Sequence, residues 1–317
     1  AIDRDLRYSE IASVNFQVVP PWYLNGWIMF PSGGSMLVIL ILAIVNGVRY
    51  YQQRRESEQL RAEMLEQERG TRLALEAELA DANQMQMSLL PKAAPEIEGL
   101  QIAGSSIATK EVGGDFFDYL ISEDGLQISI AVGDVSGKGL RGAMNAVMAS
   151  GILQLSSKHQ VEPHQVMSEV NVSLCEKMEQ DMNVTMVLAQ FDIVKKQMTL
   201  ANAGQHAYPL LIRSGTVEPV KAKGLALGMI PSISYKSTMV DLESDDLLLL
   251  MTDGITEPRN VEGVMYEESG RLNEVLAGIP AEMPIEEVVA TIINDVEAYT
   301  ADEEQDDDIT LVAVRVS

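Results

Sequence analysis

No charged side chain occurs between Ile11 and Val48, and no other feature constrains the fold of this chain as tightly. Backbone polar groups placed in hydrocarbon must be satisfied within their own segment, so an apolar run long enough to cross a bilayer is driven into a helix. Trp27 to Val48 makes a helix of about 22 residues, close to the ~30 Å of a hydrocarbon core. Its centre, Met36 to Val45, is wholly apolar. Pro31, Gly33 and Gly34 weaken the first turns, and a buried helix of a soluble protein is the competing reading. The flanks favour the membrane: Trp22, Tyr23 and Trp27 form one aromatic belt and Tyr50 and Tyr51 the other, with Arg49, Arg54, Arg55 and Arg61 following at once. Basic residues collect on the cytoplasmic side, so residues 27–48 are expected to span once and the remainder to be cytoplasmic. A signal peptide fits less well, because no basic region precedes the run and no small-residue cleavage site follows it.

Residues 1–26 hold a strand-like alternation at Val14-Asn15-Phe16-Gln17-Val18 and are too short to bury a core. The chain begins with Ala, so this part is expected to be the end of a larger extracytoplasmic β domain or the start of a processed chain. It resembles the last strand of the β-sandwich that closes the periplasmic part of some bacterial sensor proteins. Residues 49–96 are expected to be a helical linker: Gln52 to Leu89 is rich in Glu, Gln, Arg, Leu and Ala, with no proline and the single glycine Gly70. Leu60 and Met64 share one seam and Leu75, Leu79, Ala82 and Leu89 another. That register shift suits a two-stranded coiled coil with a discontinuity, and hence a parallel homodimer, against the alternative of a solvated single helix.

Pro91 to Pro95 ends the linker, and residues 97–317 read as one α+β domain. Strands are expected at Leu100–Thr109, Asp115–Ile121, Gln127–Asp134, Val184–Phe191, Met198–Ala203, Pro209–Arg213, Tyr235–Val240, Asp246–Thr252 and Ile309–Val316. Helices are expected at Leu140–Ser157, Pro163–Met178, Gly270–Leu276 and Pro284–Tyr299. Short turns such as Val194 to Gln197 imply antiparallel neighbours, so the expected architecture is two packed antiparallel β-sheets flanked by helices. Lys plus Arg number 23 against 47 Asp plus Glu, a net charge of −24; with no basic stripe, nucleic acid is excluded as a partner. The one cysteine, Cys175, rules out an intrachain disulfide framework and reads as a buried thiol of an amphipathic helix.

The carboxylates carry the chemistry. Between Glu111 and Gly139, Gly113-Gly114-Asp115 and Gly133-Asp134-Val135 flank a hairpin that folds one aspartate back on the other. Like charges so placed are tolerated when cations sit between them. Thr252-Asp253-Gly254 ends an apolar strand, and Asp306-Asp307-Asp308 opens the last one. With no Cys or His cluster, hard oxygen donors point to Mg²⁺ or Mn²⁺. Two such ions supply a water-derived nucleophile for attack on a phosphate ester, so the chain need not provide a covalent one.

Taken in order, Leu89-Leu90-Pro91, Gly113-Gly114-Asp115, Gly133 to Gly139, Asn202-Ala203-Gly204, Leu227-Gly228, Thr252-Asp253-Gly254 and Asp307-Asp308-Ile309-Thr310 make a recognisable series. From Gln86 to Val316 the chain resembles the bacterial SpoIIE-like branch of the PPM-type metal-dependent serine/threonine protein phosphatases. The resemblance implies that Asp134 bridges two metal ions with the Val135 carbonyl on one of them. It also implies that Asp253 and Asp307 complete the other shell and that Asp115 binds directly or through metal waters. Asp118 is expected at the sheet end, and Asn202–Gly204 and Leu227-Gly228 as structural turns lining the site. In the usual family motif a His follows Asn-Ala-Gly; here Gln205 does, then His206, which leaves the proton donor unassigned. No counterpart of the phosphate-gripping arginine of eukaryotic relatives is evident, and Lys138 and Arg141 are expected at the solvated surface. The implied substrate is phosphoserine or phosphothreonine on a cytoplasmic regulator such as a STAS-type anti-sigma-factor antagonist, and the implied location is the bacterial inner membrane.

Other readings fit less well. Gly113 to Phe117 misses the diguanylate cyclase loop by an acidic residue at Phe116, and Gly133 to Gly139 lacks the Ser or Thr of a P-loop. A catalytically silent sensory or scaffold module on a membrane coiled coil is the better rival, and it would be favoured by degraded ligand positions.

Overall fold

The computed structural model describes residues 14–19, 21, 23, 26–91, 93–109, 112–137, 139–159, 162–300, 305 and 307–317. Residues 1–13, Trp22, Glu111, Lys138, 301–304 and Asp306 lie outside the described residues. The chain divides into two compact units, Ala1–Arg72 and Leu73–Ser317.

Val14 to Val19 form neither helix nor strand. The strand expected there is absent among the described residues, because an alternating segment is stable as a strand only when a neighbouring one completes its hydrogen bonds. Helix α1 (Gly26–Leu89) carries both the apolar run and the linker. From Met36 onward it contains no proline and only the glycines Gly47 and Gly70, each costing about 1 kcal/mol relative to Ala and too little to break it. Among the described residues it is the helix long and apolar enough to cross a membrane by length and composition. Met36 to Leu42 lie exposed along it.

The second unit contains β1 (Leu100–Ile107), β2 (Phe116–Ile121), β3 (Gln127–Val135), α2 (Leu140–Ser156), α3 (Pro163–Lys177), β4 (Val184–Asp192) and β5 (Gln197–Ala203). After these come β6 (Leu210–Arg213), β7 (Thr216–Pro219), β8 (Ser237–Asp241), β9 (Leu247–Met251), α4 (Asp253–Thr256), α5 (Arg271–Ala277), α6 (Ile285–Thr300) and β10 (Ile309–Val316). They form two five-stranded antiparallel sheets, ordered β1-β10-β9-β6-β7 and β2-β3-β4-β5-β8. The expected sandwich is therefore formed. The four-residue elements β7 and α4 were not anticipated, since neither is long enough to show a hydrophobic period.

Alternation along the strands decides the layers. Leu248 and Leu250 face the core between the sheets with Ile130, Val132, Val187 and Val312. Leu247, Leu249 and Met251 face the other way, onto α5 and α6. Helix α6 turns Ile285, Val288, Val289, Ile292, Ile293 and Val296 to that sheet, the i, i+3, i+4 stripe of a helix packed on one side. On the opposite sheet, Ala131, Val135, Met186 and Leu188 meet Ala146, Ala149, Leu153, Val166, Val170 and Leu174 of α2 and α3.

Register then brings the acidic motifs together. Phe116 pairs with Gly133, so the start of β2 lies beside the end of β3. Leu311 pairs with Met251, so the end of β9 lies beside the start of β10. Asp115, Asp134, Asp253 and Asp307 thus leave both sheets at one edge of the sandwich.

Candidate active site

Asp115 precedes β2, is buried at 4% exposure, and accepts a hydrogen bond from Thr252 Oγ1 at 2.7 Å. Thr252 in turn accepts from the Thr310 N–H at 3.1 Å, which locks the β9–β10 junction to the other sheet. Burial, then the charge of Asp134, holds the Asp115 carboxyl well above the usual carboxylate range, against the opposing hydrogen bond from Thr252. Asp134, near the end of β3, is pushed up to about 7, first by burial and then by the charges of Asp253, Asp307 and Asp308. Asp253 is raised by burial and by Glu257. These fields cross between the sheets, so the four expected carboxylates share one electrostatic environment.

Asp308, not anticipated as a site residue, has a distinct task. Its Oδ1 accepts the Thr109 N–H at 2.8 Å, and its Oδ2 accepts the Gly114 N–H at 2.7 Å and the Asp115 N–H at 3.5 Å. It fixes the loop that carries Asp115 from a buried position on the cleft wall, while its neighbour Asp307 is exposed on the same cleft. Gly114 is required by close approach: a Cβ there would meet the Val135 carbonyl at 2.7 Å and Asp134 Oδ1 at 3.2 Å. Gly254 is required likewise, because a Cβ would collide with the Asp308 carbonyl. The glycines of both motifs therefore serve packing against the carboxylate loops.

Asp134, Val135, Asp307 and Asp308 line a cleft of about 140 Å³. Asp253 and Asp307 line an adjoining one of about 540 Å³. Asp115 lines neither and stands behind them on Thr252. Among the described residues no group of three or more His, Cys, Asp or Glu is set closely enough to hold a metal ion. The donor set nevertheless suits hard divalent cations: it is all oxygen, its carboxylates raise one another's proton affinity, and Gly114 leaves the Asp134 and Val135 oxygens uncovered by a side chain.

Asp118 stands apart from this cluster. It is buried and accepts from Ser150 Oγ at 2.9 Å and Gln154 Nε2 at 2.7 Å, tying β2 to α2. Asn202 and Gln205 close a turn through reciprocal side-chain bonds, Asn202 Nδ2 to the Gln205 carbonyl and the Gln205 N–H to Asn202 Oδ1. Buried Gln205 donates to the Met251 carbonyl at 2.5 Å and so braces the end of β9. His206 is exposed and lines neither cleft. Leu227 bridges to Val184 and the Gly228 N–H bonds Asn171 Oδ1. Both turns are structural, but neither contributes a residue to the two clefts. Arg141 is paired with Glu179 and with Asp181 at 2.9 Å on the surface. At the end of α1, the buried Gln86 side chain donates to the Gly113 carbonyl at 2.7 Å and accepts the Gly113 N–H at 3.4 Å.

Known proteins resemble this chain in sequence and in fold. The sequence profile of the family described as Stage II sporulation protein E (SpoIIE) matches residues 124–317. Phosphoserine phosphatase RsbU of Bacillus subtilis is 30% identical over 198 residues, covering 62% of this chain and 58% of RsbU. The chain spans about half the length of the curated relatives it matches. Among solved structures, the SiaA-PP2C domain of Pseudomonas aeruginosa superposes with a TM-score of 0.70 at 21% identity, over 78% of this chain and 99% of that one. RsbX, solved in complex with magnesium, gives 0.53 at 18% identity over 71% of this chain and 99% of that one. Both superpositions are with antiparallel sandwiches of the same fold.

Proposed function

The chain belongs to the family of Stage II sporulation protein E, and from that premise we propose that it is a metal-dependent phosphatase acting on phosphoserine or phosphothreonine of a regulatory protein. The observation that carries this reading is the convergence of Asp134, Asp253 and Asp307 on two adjoining clefts, with Asp115 behind them. Asp134 and the Val135 carbonyl would hold one Mg²⁺ or Mn²⁺ ion, and Asp134, Asp253 and Asp307 a second, with Asp115 joining directly or through water. Bound there, divalent cations supply Lewis acidity toward phosphoryl oxygens and make water a nucleophile near neutral pH.

The residues around them position. Thr252 holds the Asp115 carboxylate, Asp308 holds the loop of Gly114, and Gln205 holds the end of β9. The name of RsbU, a phosphoserine phosphatase, supports the phosphomonoester class. A STAS-type antagonist is the regulator that best fits the resemblance.

In the same reading residues 27–48 cross the bacterial inner membrane once, residues 49–96 pair two copies in parallel, and residues 97–317 work in the cytoplasm. Gln86 gives a linker signal a short route to the site, since it grips both backbone groups of Gly113, two residues before Asp115. The test is manganese-dependent hydrolysis of p-nitrophenyl phosphate by the 317-residue chain in detergent, beside Asp134→Asn and Asp253→Asn. Metal-dependent phosphate release that both substitutions abolish is expected. Absence of turnover together with absence of metal binding by calorimetry would overturn the reading.

A further inference from the structure

The two clefts are lined by carboxylates, yet the proposed substrate is itself an anion. Among the described residues that line them, Arg259 is the one cation. It shares the larger cleft with Asp253, Glu257 and Asp307. Arg141, the other arginine near the first motif, is occupied by Glu179 and Asp181 and lines neither cleft.

Arg259 also sits on a loop built to hold it. Arg259 bridges to Met265 across the turn, the Asn260 N–H bonds the Val264 carbonyl at 3.1 Å, and Asn260 Oδ1 accepts the N–H groups of Glu262 and Val264 at 3.1 and 3.0 Å. The loop is rooted by Tyr266, which is fully buried and donates its hydroxyl to Asp295 at 2.7 Å. The guanidinium donates through Nη1 to the Gly263 carbonyl at 2.8 Å. Among the described residues it has no carboxylate within ion-pair distance. A planar, permanently charged fork anchored by one donor keeps others for an anion, and its geometry matches two phosphoryl oxygens at once.

We propose that Arg259 binds the phosphoryl oxygens of the substrate at the mouth of the cleft beside Asp253 and Asp307. The inference rests on the phosphatase reading for its substrate and assigns the site a specificity-determining residue that the motifs did not reveal.

The test uses the whole chain in detergent with saturating magnesium, as Arg259→Ala and Arg259→Lys. Inorganic phosphate binding is measured by calorimetry, and KM and kcat are measured for p-nitrophenyl phosphate and for a phosphoserine peptide. Arg259→Ala is expected to weaken phosphate binding by about tenfold or more and to raise KM for both esters by a similar factor, the scale of a lost charged hydrogen bond. kcat should change less, magnesium affinity should be unchanged, and Arg259→Lys, which keeps charge and reach, should recover part of the loss. Unchanged phosphate affinity and KM in Arg259→Ala would overturn the assignment. So would a defect confined to the peptide, which would place Arg259 against the protein around the phosphate. Because phosphate binding needs no turnover, failure of the phosphatase reading shows separately, as an inactive wild-type chain whose phosphate affinity still reports on Arg259.

Discussion

At the scale of single residues, the site is an assembly of acceptors in need of positive charge. Thr252 shows how the fold manages one of them: its hydroxyl donates a hydrogen bond to Asp115 and accepts one from the Thr310 N–H, so one side chain joins both sheets. Thr252→Val keeps the volume and strands the carboxylate; we expect a loss of about 1–3 kcal/mol in urea unfolding with weaker magnesium binding, while Thr252→Ser retains most of both. The acidic cluster also sets a pH dependence. The folded-state proton affinity of Asp134 is raised, to about 7, and that of Asp115 is raised as well. A carboxyl so raised stabilises the metal-free fold fully below its unfolded value, about pH 4, and the contribution is lost as pH rises through about 7. Without metal, the melting temperature should therefore fall between those limits. Saturating magnesium, which favours the ionised carboxylates, should flatten or reverse the slope, and thermal melts with EDTA and with magnesium distinguish the two cases. Asp115, Asp134 and Asp253 stand out in the sequence because glycine or threonine neighbours mark them at strand ends, and Asp307 because it lies in an acidic run that opens one. Asp308 and Thr252 were not marked in that way. Each looks like an ordinary member of its motif, and its task exists only through partners 194 and 137 residues away.

At the scale of elements, strand alternation decided most of what the fold needed. The four consecutive leucines and Met251 of β9 are buried on both faces, as a strand sandwiched between a second sheet and a helix must be. β7 and α4 escaped sequence reading because four residues carry no period. Helix α1 was legible in composition, but its last turns acquire their meaning from a single contact. Gln86 is buried and spends its amide on Gly113. Gln86→Ala should cost about 1–2 kcal/mol, the value of its buried hydrogen bonds. Its effect on magnesium affinity should exceed that of Met85→Ala one residue earlier, at an exposed position. Equal effects on metal binding, read by calorimetry, would remove Gln86 from the route between linker and site.

At the scale of the whole molecule, the chain separates into Ala1–Arg72 and Leu73–Ser317, and the second unit holds both sheets and all three cores. Residues 73–317 expressed alone should be soluble and unfold in one cooperative transition. The 317-residue chain should leave bacterial membranes with detergent and not with high salt, because its exposed run from Met36 to Leu42 carries no charge to screen. Fractionation after each wash decides that point. By itself the sequence determined the order and type of nearly every element, the apolar helix, and where along the chain the acidic motifs fall. These are local matters: a hydrophobic period, a glycine beside an aspartate, or a charge-free run is written within a few residues of itself. Only the tertiary structure decided which of those residues share a field and which face a cleft. It set buried Asp308 to bracing the Asp115 loop and left Asp307 exposed on the same cleft, kept Asp115 out of both clefts, and placed Arg259 among the acids. The reason is that antiparallel register and the stacking of two sheets bring together strand ends separated by most of the domain. No local pattern records which distant end a side chain will meet.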